Sequence, residues 1–467
     1  MAVQHRSQIK TSFGRLNQSA YGTASLSGDQ YVRIISDSQE TADHETSFAN
    51  DAGYDQGTDM AQEYWAETVN SGVAVTPDFC FQDIGYLFKD ALGGYAVSTL
   101  DTGLYRHVFT PQDVSVSRQL PSRTILKDFG SIGIWLLRDM VNSNLSMSGG
   151  KMGRIKVSGQ YVGSGYLNEN AGGSGYSSAA LGSGKDYAYS GQLPGGIKLY
   201  EVGSAVKQVE TATAAGTASA TGVATATVTG IYITGSPVVV NVNITNGDTA
   251  AVIASKIRAA LRATDVVIQQ YEVSGSTTSI VLTDRFYRAS DGTLNIAIGT
   301  GTATGVTAVP SSANTTAGVA ATTSAGYSCD LETWSLNLQN PAADEGYRQC
   351  SQYWVPNDPE SGAIRSEYLL GVRNYGLDFT ARLQANDPQR AWLKAQTDVA
   401  LEIPIIGQGD TGCSCVISHT RARITSSKPI PDAAGFIGIQ GRIDLLSNNG
   451  AIPFQIILIN DISSYAS

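Results

Sequence analysis

Charge is scarce in this chain. Asp, Glu, Lys and Arg make up only 15% of its 467 residues, which excludes a charge-rich disordered chain and a Glu/Lys-rich helical bundle. Long apolar runs are missing too. The longest, Ile452 to Ile459 and Ile132 to Leu137, fall far short of the roughly 20 residues that cross a bilayer as a helix, so a soluble protein without a membrane partner is expected. The opening MAVQHRSQIK has no apolar core of the roughly 7–15 residues a signal peptide needs, and export by that route is not expected. Cysteine is sparse. Cys80, Cys329, Cys350, Cys413 and Cys415 give neither a disulfide framework nor paired zinc-ligand spacing. They read as small buried or half-buried thiols of a reducing compartment, with Cys413 and Cys415 on one face of a strand.

Catalytic signatures are equally thin. The four histidines, His5, His44, His107 and His419, have no second His or Cys at ligand spacing, and there is no nucleophile elbow, Walker loop or HExxH motif. GSGYL at 163–167 and GGSG at 172–175 lack the strand and helix that would make a phosphate cradle. Asp51, Asp55 and Asp59 are spaced by four, unlike the 1, 3, 5 pattern of a calcium loop. No pair stands out among the 41 acids as glycosidase carboxylates. No enzyme activity, cofactor or metal is expected, and His107 reads as a strand-edge histidine before a proline turn.

What the chain has is 50 glycines, 22 tyrosines and much Ser, Thr, Ala and Val, the composition of β structure with many turns. Its formal charge of −10 is unevenly placed. Residues 1–33 carry four basic and one acidic side chain, whereas 34–88 carry eleven acids and no Lys or Arg. No basic stripe runs along the chain, so stable binding to nucleic acid has no electrostatic footing. The opposite signs of these adjacent, loop-rich segments make Arg6, Lys10 and Arg15, against Asp37, Glu40, Asp43 and Glu45, the candidate contacts between subunits.

Three regions separate by composition: 1–204, 205–325 and 326–467. All Trp, Met and Cys lie outside 205–325, where Ala, Thr and Gly dominate and six residues of each charge cancel. Within it Val238, Val240, Val242 and Ile244 alternate as a strand. A helix capped at Asp248 or Thr249 sets Ile253, Ile257, Ala260 and Leu261 on one face, with Lys256, Arg258 and Arg262 toward its C-terminal end. Strands follow at 266–273, 278–283 and 294–298, giving a small inserted α+β domain expected to lie outside and be dispensable. Elsewhere, alternation marks strands at Ile155–Tyr161, Tyr375–Leu383, 413–426, 435–446 and 452–460. Helices are expected at 80–92, stopping at Gly93, and at 388–397 with Ala391, Trp392 and Ala395 on one side. Residues 34–60 and 163–196 read as long loops.

The order of SFGRLNQSAYGTAS, LFKDALGGY, YRHVFTP, SRTILKDFG and NSNLSMSGGKMGRIKVSGQYVGSGY, then LETWSLNLQNP, YGLDFTARL and DPQRAWLKAQ, resembles the tail tube proteins of long-tailed bacteriophages over most of 12–168 and 328–467. GDTAAVIASKIRAALRA resembles a module of phage tail proteins. The resemblance implies a mainly β fold, a sandwich closed toward a barrel with a flanking short helix. It also implies a virion protein, assembled in the host cytoplasm, whose hexameric rings stack into a tube for DNA. The implied partners are other copies of the chain, a tape-measure protein, tail-end proteins and DNA passing transiently. A negative lumen would let DNA slide. Two other readings stay open: a decoration or adhesin protein binding host glycans, and a depolymerase.

Overall fold

Period-two alternation sets the architecture. Leu145 and Met147, Val157 and Tyr161, Trp334, Leu336 and Leu338, and Leu377 and Phe379 turn inward and are buried, while the residues between them face water, as in antiparallel sheets wet on one side. These positions come from a computed structural model that describes residues 10–14, 31–34, 43–51, 63–150, 153–168, 171–174, 176–177, 185–189, 193–194, 196–201, 203, 205–327, 331–342, 368–383, 387–407, 412–431, 437–448 and 452–465. Arg6, Arg15, Asp37 and Glu40 fall outside them.

The fold is mainly β, as expected, but the described strands do not close into a barrel. One antiparallel sheet runs through Asp43–Asp51, Glu63–Val75, Lys156–Gly163, Ile134–Gly150, Leu331–Gln339, Asn374–Arg382, Ile437–Leu445 and Ser414–Pro431. A second runs through Gly93–Asp101, Leu104–Pro111, Phe454–Asn460, Ser414–Pro431, Val399–Ile406, Ile197–Glu201 and Ser324–Tyr327. The 18-residue strand Ser414–Pro431 serves both. The 17-residue strand Ile134–Gly150 likewise joins the first sheet to a smaller one built on Arg123–Asp128 and Lys10–Gly14. Where it changes sheets, Asp139 adopts φ 60°, and Ser164 Oγ donates to Asp139 Oδ2 at 2.9 Å. Arg123 then lies opposite Met140, but Ile125 opposite Leu137.

Every residue of the helix Ile84–Leu92 is buried against these sheets. It starts four residues later than the sequence suggests and stops as expected at Gly93, whose φ of 86° favours glycine and whose N–H donates to the Lys89 carbonyl. Gly85 is required by close approach: a Cβ there would sit 2.3 Å from the Tyr465 ring. Asp90, at the buried end of the helix, receives Arg123 Nε at 2.7 Å and Nη2 at 2.6 Å, and Tyr161 Oη at 3.0 Å. Both charged side chains are completely buried.

Several expectations need correction. The segment 34–60 is not wholly loop, because Asp43–Asp51 pairs as a strand with Glu63–Val75; its polar sequence hid a strand whose partner lies in the next segment. The described part of 163–196 contains the short strand Leu167–Asn168 and a 3-10 turn at Ala171–Ser174. The second helix is Gln389–Ala395, and it buries Gln389 and Trp392 while Ala391 and Ala395 are exposed. Its short length gives it only two buried positions, and Gln389 and the large indole take them. His107 is no strand-edge residue. Its strand lies between Gly93–Asp101 and Phe454–Asn460, and the imidazole is fully buried.

Residues 205–323 build three small sheets and a core of their own, with Val228, Ile253, Ile257, Tyr271, Leu282 and Ile296 buried together. Strand Val238–Ile244 and helix Ala250–Arg262 match expectation. Where one strand over 266–273 is expected, a short helix Asp265–Ile268 precedes Tyr271–Ser274, since Thr264 and Asp265 restart a helical turn. The boundary at 325 also shifts: Ser324–Tyr327 pairs with Ile197–Glu201, so both strands of the stem belong to the body. Deleting 202–322 and joining Glu201 to Thr323, which lies opposite it, through Asn-Gly should therefore leave a body that unfolds cooperatively on heating, because a two-residue turn closes such a pair. A molten remainder, read by lost near-UV dichroism, would show that the inserted segment is integral.

Candidate functional site

The broadest surface that the fold organises is the wet face of the first sheet. Because the alternation is strict, polar side chains fall into rows across strands. Lys156, Ser148, Ser335, Asp378 and Arg442 form one row; Ser158, Ser146 and Asn337 form the next, and Gln160, Asn144 and Gln339 a third. Hydroxyls and amides dominate it. Most of its cations are tied to carboxylates: Arg442 reaches Asp378 at 3.2 Å and Asp444 at 3.1 Å, and Asp78 takes Arg154 at 2.7 Å and Lys156 at 2.6 Å, while Lys428, in register with Gln440 and Thr380, is exposed and forms no ion pair among the described residues. Asp398 holds Arg421 at 2.9 Å and Arg423 at 2.6 Å. Hydrogen bonds from Arg421 and then Arg423 keep the Asp398 carboxyl below the usual carboxylate range. At Asp78 burial pulls the other way, yet the bonds from Lys156 and Arg154 still leave it lowered.

Strand borders are the second organised feature. Among the described residues, Gly93–Asp101 pairs only with Leu104–Pro111, and Ser324–Tyr327 only with Ile197–Glu201. From Thr46↔Val69 to Asp51↔Glu63 the hairpin is a two-stranded ribbon; Glu63–Val75 gains its other neighbour, Lys156–Gly163, only at Ser71. A ribbon of two strands is marginal in water, and unpaired strand borders invite another chain. The ribbon's two strands contain Asp43, Glu45, Asp51, Glu63 and Glu67 and no Lys or Arg.

Of the contacts expected between subunits, Lys10 bonds within its own chain, with Nζ 3.6 Å from Asp128. Asp43 and Glu45 sit on the ribbon backbone. Cys413 and Cys415 are both buried, and burial pushes the Cys415 thiol up and that of Cys80 to about 12. Such thiols are poor nucleophiles.

Sequence reasoning missed a buried ionic clamp. Arg258 donates to Asp101 at 2.8 and 2.5 Å, and Arg262 donates to the same carboxylate at 2.8 Å, fixing the inserted segment to the end of Gly93–Asp101. The available signal was the i, i+4 spacing of two arginines beside the apolar positions Ile257 and Leu261. Lys207 adds a bond to Glu402 at 2.8 Å, and Ile406 of the body joins the inserted core.

No protein-family model matches the chain, and no curated protein matches it.

Proposed function

We propose that this chain is a structural subunit that polymerises, in the manner its sequence resemblance implies, into hexameric rings stacked as the tube of a phage tail. The observation that supports this reading best is the combination of strand borders unpaired among the described residues with one broad sheet face that is polar and mostly charge-paired. The borders offer places for neighbouring copies to add strands, and heterologous contacts of that kind close into rings. A face of hydroxyls and amides most of whose cations are held by carboxylates, with Lys428 the exception, has little with which to grip phosphate. DNA would then slide past it because free cations are few rather than by repulsion, with the acidic ribbon elsewhere.

Electron microscopy of the concentrated protein is expected to show six-fold rings or tubes. Discrete monomers or trimers at every concentration would overturn the reading. A second measurement locates the lumen: Ser335→Cys should react with a protein-sized maleimide in free subunits and be protected in tubes, while a small maleimide still reaches it. Equal labelling by the large reagent in both states would place this face outside.

The alternative, a decoration or adhesin protein that binds host glycans, is favoured by one local feature. Tyr232 and Phe286 are half-buried around Arg288, whose guanidinium lies 3.6 Å from the Tyr232 ring centre and 5.0 Å from that of Phe286, and exposed aromatic edges of this kind suit sugar rings. Retention on immobilised glycan without polymer formation would favour it.

A further inference from the structure

Between the inserted segment and the body lies a cleft with about 20 Å³ of interior space, lined among others by Arg262, Glu272, Arg285, Ile406, Gly412 and Ser414. Both arginines are more than nine-tenths buried. Arg262 donates Nε to the Val273 carbonyl at 3.1 Å and Nη1 to Asp101 at 2.8 Å, but its buried Nη2 has no partner. Arg285 donates Nε to the Ile268 carbonyl at 2.6 Å and forms no ion pair among the described residues.

The carboxylates nearby are shared or committed elsewhere, or do not reach these guanidiniums. Asp101 is shared by Arg258 and Arg262, and Glu402 is occupied by Lys207. Lys198 spends its ammonium on the Arg285 carbonyl at 2.9 Å. Glu272 lies near both Arg262 and Arg285 without reaching either as an ion pair. Asp186 is a third carboxylate, itself buried, beside Gly407 of the lining, so carboxylates and guanidiniums are equal in number, but none of the three carboxylates forms an ion pair with Arg285 among the described residues. Arginine does not shed its proton in proteins, and an uncompensated buried cation is strongly unfavourable.

We propose that this seam binds a small inorganic anion of chloride size, held by the guanidiniums of Arg262 and Arg285. The narrow interior admits one or two water-sized groups, which suits a monatomic ion and excludes sulfate or phosphate. Ile268, Ile406 and Ile459 wall it, favouring a weakly hydrated ion. The bound anion would lock the inserted segment to the body. The inference is independent of the tail-tube reading.

The test compares thermal unfolding of the full chain in sodium chloride and in sodium gluconate at equal ionic strength. Tm should be higher in chloride by about 2–4 °C, with saturation in the millimolar range, and bromide should replace chloride. Arg285→Met should abolish the difference. Equal Tm in the two salts, or a difference that Arg285→Met retains, would overturn the proposal. If Arg285→Met does not fold, bromide-soaked crystals of the parent decide: an anomalous peak in the cleft supports the site, and its absence refutes it. Asp410, close in sequence to Gly412, lies outside the described residues. A chloride dependence absent from the parent but present in Asp410→Asn would give the place to the chain's own carboxylate, and the proposal would fall.

Discussion

Arg123→Met is expected to lower the stability of the body by about 3–5 kcal/mol, the size typical of breaking a buried ion pair from one side. The substitution leaves the Asp90 carboxylate inside the core without its cation, though still bonded by the Tyr161 hydroxyl, and it removes the donor to the Gly14 carbonyl on the neighbouring strand. It also takes the guanidinium from the Tyr86 ring, 5.4 Å away. Asp90→Leu combined with Arg123→Met should recover much of the loss, because removing both charges removes the desolvation penalty as well. Urea unfolding of both single variants and the double variant measures this coupling. A double variant as unstable as the sum of the singles would mean the two residues act separately.

Acid should weaken the fold between pH 6.5 and 4, well before most carboxylates titrate. Burial holds His107 and His419 neutral, lowering each to about 4 from an ordinary 6.5. In that window the unfolded chain takes up two protons that the folded chain refuses, so stability falls as pH falls and levels off below about 4. Each histidine contributes about 3 kcal/mol to that loss. Buried Asp83, Asp284 and Glu210, all raised by burial, oppose part of it because they gain protons more readily when folded. The neutral tautomer at His107 follows from its partners. Asn460 Nδ2 donates to the Phe81 carbonyl and to Tyr465 Oη, so Asn460 Oδ1 accepts from His107 Nε2 at 3.0 Å, and Nδ1 accepts from Tyr95 Oη at 2.9 Å. His107→Gln should roughly halve the slope of the urea midpoint against pH. A parent midpoint constant from pH 6.5 to 4.5 would refute the account.

Elements whose alternation is visible locally were legible in the sequence. The strand Asn374–Arg382 and the helix Ala250–Arg262 carry their own period, and each lies where its pattern put it. Hidden elements owe their structure to distant partners. Asp43–Asp51 has no apolar alternation, and only pairing with Glu63–Val75 makes it a strand. The burial of His107 likewise depends on Phe454–Asn460, some 350 positions away. Charge arithmetic found the acidic segment but not the Asp101 clamp, because two arginines of a segment that is neutral by count meet a carboxylate roughly 160 residues earlier. The wet face of hydroxyls and amides was written in single strands, yet its rows exist only once register aligns Ser335 with Ser148 and Asp378.

The stem at Glu201 and Ser324 has a use of its own. Two strands that leave the body side by side form a socket about 5 Å wide at the backbone, and the clamp on Asp101 is a second point of attachment that fixes the angle at which the plug sits. A compact foreign module with adjacent termini can be seated there in place of the native one. Carrying an Arg pair at matching positions on its docking helix, it would be presented in one orientation instead of swinging on a tether, which makes this chain a scaffold for display at defined geometry.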